Sequence, residues 1–160
     1  MKKILMFLTV ITLCACDSKD EKDVLGLTYD ISAELSIFND QNEDLLNPNN
    51  PNHLDISKIR LFYVINGVNQ EFHNLNVEST SVLRIVKREN EYRIKMLLND
   101  YDKSEKTTIY LQWDESQKDT IQSTFEKSYN LYRPKKIWYN NKLVWQLDYG
   151  VEECYFKIVK

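Results

Sequence analysis

Ile59-Arg60-Leu61-Phe62-Tyr63-Val64-Ile65-Asn66-Gly67-Val68-Asn69-Gln70-Glu71-Phe72 is the stretch that decides the fold. Ile59, Leu61, Tyr63 and Ile65 recur at every second residue, the period of a strand with one buried face. Asn66 and Gly67 both tolerate positive φ, which a two-residue hairpin turn requires. The turn sets the register. Ile65 faces Val68, Tyr63 faces Gln70 and Leu61 faces Phe72 on one side, while Val64 faces Asn69 and Phe62 faces Glu71 on the other. The first side is the more apolar and is predicted to be the core face.

The same alternation extends in both directions. Tyr29, Ile31, Ala33, Leu35 and Ile37 alternate with Asp30, Ser32, Glu34 and Ser36. Residues 82–87 and 91–98 read as a strand pair around Arg88-Glu89-Asn90, with Tyr92, Ile94, Met96 and Leu98 on one side. Thr107, Ile109, Leu111 and Trp113 mark another strand, and residues 120–126 the next, with Ile121 and Phe125 inward. Residues 136–139 and 142–147 flank Asn140-Asn141 as a second hairpin, and residues 154–159 close the chain. Between these runs, Asn47-Pro48-Asn49-Asn50-Pro51-Asn52 is unable to join a ladder continuously. Only Asp55-Ile56-Ser57-Lys58 suggests a helical turn. Eight or nine short strands at this spacing predict an all-β fold: a single β-sandwich domain, immunoglobulin-like or prealbumin-like, with a small β-barrel as the alternative.

The beginning of the chain reads differently. Met1-Lys2-Lys3 precedes an apolar run and then Leu13-Cys14-Ala15-Cys16. The apolar run is about 12 residues, short of the roughly 20 that cross a bilayer, and the pattern is that of a removable secretory signal. Its end resembles the lipobox of bacterial lipoproteins, with Leu13 as the large residue, Ala15 as the small one and Cys16 as the lipid acceptor. The resemblance implies cleavage between Ala15 and Cys16, a diacylglyceryl group on the Cys16 sulfur and acylation of the new amine. Two or more acyl chains hold a protein on a membrane where one is marginal. Cys14 is a poor rival acceptor because Leu13 before it is bulky. The alternative is an ordinary secretory signal cleaved near Ala15, with Cys16 unmodified.

Asp17-Ser18-Lys19-Asp20-Glu21-Lys22-Asp23 follows, with no apolar surface to bury, and is expected to be a disordered tether. The predicted organisation is therefore a signal at 1–15, an acylated cysteine and acidic tether at 16–23, and a β-sandwich domain at 24–160. An acidic run after the cysteine resembles the surface-export signal of Bacteroidetes lipoproteins, which implies the outer face of the outer membrane. In enterobacterial sorting, Asp at that place implies retention at the inner membrane. The run matches the first system better.

Composition narrows the function classes. With residues 1–15 removed, 19 basic residues stand against 24 acids, a charge of about −5, which gives no electrostatic reason to bind nucleic acid. Cys154 is then the one cysteine besides Cys16, so no intrachain disulfide is expected, and its apolar surroundings predict a buried, inert thiol. His53 and His73 lack a second ligand at metal spacing. Asp40-Gln41-Asn42-Glu43-Asp44 and Asp100-Tyr101-Asp102-Lys103-Ser104 place oxygens as a calcium loop does, but Leu45 and Glu105 stand where that loop needs Gly. No metal or cofactor is expected, and no nucleophile-elbow, phosphate-loop or dinucleotide pattern is present.

Two surface candidates remain. If Asn140-Asn141 is a two-residue turn, Trp138 opposes Leu143 and Lys136 opposes Trp145, which makes Trp138 and Trp145 diagonal neighbours on one face. Ile137 and Val144 lie on the other face beside Tyr139. Trp138, Tyr139 and Trp145 are thus candidate stacking aromatics for a sugar or a peptide. The competing reading puts both tryptophans in the core. Asp119-Thr120-Ile121 resembles the acceptor of Bacteroidetes O-glycosylation, which implies a glycan on Thr120; otherwise Thr120 simply faces solvent.

Asn47-Pro48-Asn49-Asn50-Pro51, Lys58-Ile59-Arg60-Leu61-Phe62-Tyr63 and residues 136–145 together resemble small uncharacterised Bacteroides-type lipoproteins. The resemblance implies a place in the cell envelope and a β fold, and transfers no activity. The function expected is a lipid-anchored, non-enzymatic module that binds protein or glycan at the outer membrane. The alternatives are a structural accessory subunit of an outer-membrane complex and a hydrolase using paired carboxylates.

Overall fold

The computed structural model describes residues 28–72, 83–150 and 153–160. The expected signal and tether, His73 and Val82 lie outside the described residues. Eleven strands are described: β1 (Thr28–Tyr29), β2 (Ser32–Phe38), β3 (Arg60–Ile65), β4 (Val68–Glu71), β5 (Leu83–Arg88), β6 (Glu91–Leu97), β7 (Thr107–Gln112), β8 (Lys118–Ser128), β9 (Leu131–Tyr139), β10 (Lys142–Gln146) and β11 (Tyr155–Val159). A single 3₁₀ turn, Ile56–Lys58, is capped by the Asp55 carboxylate accepting from the Ser57 N–H. None of the described helices is long and apolar enough to cross a membrane.

The strands form two packed sheets, the larger curled like half a barrel. In the larger sheet the order is β1-β9-β8-β7-β3-β4, with β10 also paired to β9; in the smaller it is β11-β2-β6-β5. Alternation dictates the core. Leu61 and Tyr63 of β3, Ile109 and Leu111 of β7, Ile121 of β8 and Ile137 of β9 meet Ala33, Leu35 and Ile37 of β2, Ile94 and Met96 of β6, and Phe156 and Ile158 of β11. The fully buried Tyr63 donates its hydroxyl to the Leu97 carbonyl at 3.0 Å and so ties the two sheets together. Buried polar groups find partners, as burial requires: Thr107 and Ser123 share a 3.0 Å hydroxyl contact, and Asn99 donates to the Val64 carbonyl at 2.8 Å.

The β3–β4 hairpin has the register its sequence predicts, with Ile65 opposite Val68, Tyr63 opposite Gln70 and Phe62 opposite Glu71. Asn66 and Gly67 supply the positive φ values, 51° and 79°. Asn140 and Asn141 do the same at 47° and 68°.

Three features differ from the sequence expectations. The run from Tyr29 to Ile37 is not one strand: Tyr29 pairs with Tyr132 in the larger sheet, and the chain then crosses to the smaller sheet to begin β2. β9 starts at Leu131, well before residue 136, because Pro134 sits where the ladder with β8 slips between Thr124 and Phe125. A register slip is one of the few places where a strand tolerates a residue without an N–H. The third difference is in the β9–β10 hairpin and bears directly on the candidate site.

Candidate functional site

Lys142 pairs with Tyr139 and Leu143 with Trp138, as the two-residue turn requires. The ladder then slips, so that Trp145 pairs with Ile137 and Gln146 with Lys136. One additional residue in β10 shifts everything beyond it to the opposite face. The predicted pairing of Lys136 with Trp145 is therefore corrected, and Trp138 and Trp145 do not share a face. Trp145 packs against the core beside Val144, and its indole N–H donates to the Glu153 carbonyl at 3.2 Å. Tyr139 also turns inward, against Phe156 at 6.3 Å between ring centroids. Of the three candidate aromatics, Trp138 alone is on the outer face of the larger sheet.

That outer face can be built strand by strand from the alternation. β7 presents Thr108, Tyr110 and Gln112; β8 presents Lys118, Thr120, Gln122 and Thr124; β9 presents Lys136 and Trp138. The register places Tyr110 beside Thr120, Thr108 beside Gln122, and Gln122 beside Trp138. Leu143, 46% exposed, continues the Trp138 row onto β10. Two ammonium groups lie over the rings: Lys106 Nζ is 4.1 Å from the Trp138 centroid and Lys118 Nζ is 4.2 Å from that of Tyr110. The contact from Lys106, which precedes β7, to Trp138 on β9 spans β8, where Gln122 lies. The Gln122 Oε1 is buried and has no hydrogen-bond partner. Sequence reasoning found Trp138 but missed Gln122 and Tyr110. Their signal was the polar half of the β7 and β8 alternation, read only as the solvent side.

Thr120 is half-buried in the middle of this face, and its N–H donates to the Asn140 side chain at 2.9 Å. Its neighbour Asp119 points the other way, into the end of the sandwich. There it accepts from Asn140 Nδ2 at 2.7 Å, the Tyr139 hydroxyl and the Trp113 indole, and pairs with Lys160 Nζ at 2.9 Å. Burial works to raise the Asp119 carboxyl, but these hydrogen bonds outweigh it and bring it down to about 2.

The outer face of the smaller sheet carries an open groove of about 1220 Å³. Glu34, 4% exposed, lies at its floor. Arg88 Nε donates to its Oε2 at 2.9 Å and Arg93 Nη1 at 3.3 Å. Arg93 also donates to Glu153 at 2.8 Å and lies 3.6 Å over the Tyr155 ring. The Arg88 hydrogen bond foremost, acting against burial and aided by Arg93, holds the Glu34 carboxyl below the usual carboxylate range. This network was missed because Glu34 and Ser36 occupy the predicted polar side of their strand; arginine and tyrosine side chains from β5, β6 and β11 bury that side as well.

The remaining candidates resolve into local structure. His53 is exposed and its Nδ1 contacts the Asn50 carbonyl at 2.8 Å. Asp44 spends its oxygens on the N–H groups of Leu46 and Tyr92, each at 2.8 Å. Asp102 accepts from the Ser104 N–H at 3.4 Å, and Asp100 accepts from the Tyr29 hydroxyl. Burial foremost, with Asp30 and Glu153 nearby, pushes the Cys154 thiol well above its ordinary pKa. Comparison with family models, with curated proteins and with solved structures returned no match.

Proposed function

We propose that this chain is a lipid-anchored cell-envelope protein whose β-sandwich is a non-enzymatic binding module for protein or glycan, with the outer face of the larger sheet as its ligand surface. The charged start, short apolar run and Leu13-Cys14-Ala15-Cys16 support the anchor at Cys16. The resemblance to Bacteroides-type lipoproteins supports an outer-membrane, surface-exposed location.

A single observation carries the ligand surface. Gln122 Oε1 is a buried acceptor without a donor, beside Trp138 on a sheet face that also bears Tyr110. An unsatisfied buried acceptor costs about 1–3 kcal/mol. A ligand hydroxyl or amide N–H would remove that cost while its apolar side stacks on the indole. Glu34 favours the non-enzymatic reading over the hydrolase. Two arginines keep it ionised, so it is a poor proton donor near neutral pH. Thr120 lies on the same face, so an O-glycan there would occupy the ground a ligand needs.

A glycan and peptide array probed with the purified chain tests the module. Binding that is lost in Trp138→Ala and kept in Leu143→Ala supports it; no binding to either class counts against it. Labelled palmitate tests the anchor: incorporation should require Cys16, and the Cys16→Ser chain should wash off membranes.

A further inference from the structure

We infer that the ligand of this face is an extended acidic polysaccharide that lies along β8. The inference rests on reading the face as a ligand surface, and it adds the charge and the length of what binds there.

Charge is the first argument. Acids outnumber bases 24 to 21 in the chain, yet the outward positions from 108 to 112 on β7, 118 to 124 on β8 and 136 to 138 on β9 hold no carboxylate. The cations there are Lys118 and Lys136, joined by Lys106 over Trp138. No ion pair engages any of the three among the described residues. A local positive field on a negative protein selects for anions and repels them elsewhere.

Spacing is the second. Lys136 pairs with Thr124, six residues along β8 from Lys118. At about 3.3 Å per residue the two ammonium groups are anchored roughly 20 Å apart. Along that line the order is Lys118, then Tyr110 level with Thr120, then Gln122 with Trp138, then Lys136. A monosaccharide cannot span it, whereas a chain of sugars bearing carboxylates or sulfates can. Anions would draw Lys106 and Lys118 off the rings they cover, leaving Trp138 and Tyr110 to stack on sugar C–H faces. The exchange costs little, because an exposed cation–π contact contributes about 0.5–1 kcal/mol.

The acceptor is the third. Gln122 Oε1 needs a donor at the centre of this path, and sugar hydroxyls are donors at every unit. A single-stranded nucleic acid also combines rings with anions, but it calls for a denser cationic groove and a chain that is not acidic overall.

The test uses the full chain purified in detergent and applied to immobilised polygalacturonate, chondroitin sulfate, neutral dextran and an oligonucleotide. Expected is binding to the two acidic polysaccharides that weakens with added salt. Each of Lys106→Gln, Lys118→Gln and Lys136→Gln should weaken it about fivefold. The triple variant should abolish it while the thermal midpoint stays unchanged, and Trp138→Ala should do the same. Preference for dextran, or binding indifferent to the three lysines, overturns the acidic-ligand inference and leaves the ligand face standing. Equal binding to the oligonucleotide overturns it in favour of a general polyanion surface. Binding to none of the four probes overturns it too, and the array then decides the fate of the face.

Discussion

Asp119→Asn preserves the shape of the side chain and removes its charge, at the point where β8, the β9–β10 turn and the last residue of the chain converge. In the folded protein, hydrogen bonds from Asn140, Tyr139, Lys160 and Trp113 overcome burial and lower the carboxyl from its ordinary 3.8 to about 2. That difference corresponds to roughly 2 kcal/mol of stability at neutral pH. The side chain is 17% exposed, and discounting for solvent screening leaves ~1–2 kcal/mol. The sign follows from the direction of the shift. A carboxyl depressed in the folded state contributes fully above its unfolded pKa, and the contribution is lost as pH falls toward the folded value. It is thus complete above about pH 5, roughly halved near pH 3 and gone below about pH 2. Urea unfolding followed by tryptophan fluorescence, on wild type and Asp119→Asn, measures this directly. The variant should be less stable by ~1–2 kcal/mol near pH 7, with an unchanged denaturant slope and a gap about half as large near pH 3. A gap that is absent near pH 7, or the same at both pH values, refutes the account of Asp119 as an ionised anchor.

The two hairpin tryptophans should behave oppositely in the same assay. Trp145→Ala, which strips a ring from the core margin, should cost about 2–3 kcal/mol, and Trp138→Ala less than about 1. Tyr63→Phe removes the hydroxyl that bonds the Leu97 carbonyl across the sheets and should cost about 1 kcal/mol by chemical denaturation. Cys154 should resist a disulfide reagent in the native protein near neutral pH and react at once in denaturant, because burial holds its thiol protonated. Time courses of thiol release distinguish the two states.

What could be read in the sequence was whatever depends on local period and turn chemistry. Asn66-Gly67 specified a turn, the turn a register, and the register the core face carrying Leu61 and Tyr63; all are present. Tyr92, Ile94, Met96 and Leu98 share a face for the same reason. What could not be read depends on partners distant in the chain. Alternation does not say that β11 runs parallel to β2, or that Tyr29 belongs to a different sheet from Ala33. Nor does it say that Glu34 and Ser36 are buried, since their cover comes from Arg88, Arg93 and Tyr155, more than fifty residues away. The candidate site was legible in part: Trp138 was found from its hairpin, but Gln122 stands out only once β9 lies beside β8 and leaves its oxygen without a donor.

The contrast between the two Asn-initiated hairpins explains why the functional reading moved. Both turns adopt positive φ, and both fix the pairs next to them. In β3–β4 the described pairing runs without a slip. In β9–β10 it slips after Leu143. Side-chain direction has a period of two, so a single unmatched residue inverts the assignment of everything after it. Trp145 becomes a packing residue joined to Glu153, and Trp138 is left on the outer face with Leu143. A binding surface built from two neighbouring indoles on one hairpin is thereby replaced by one that crosses strands, from Tyr110 on β7 over Gln122 on β8 to Trp138 on β9. Such a surface exists only when the larger sheet is assembled, which ties ligand recognition to the intact fold. Ligand binding and sheet unfolding should accordingly be lost together in a denaturant titration, whereas a surface confined to the hairpin would outlast the rest.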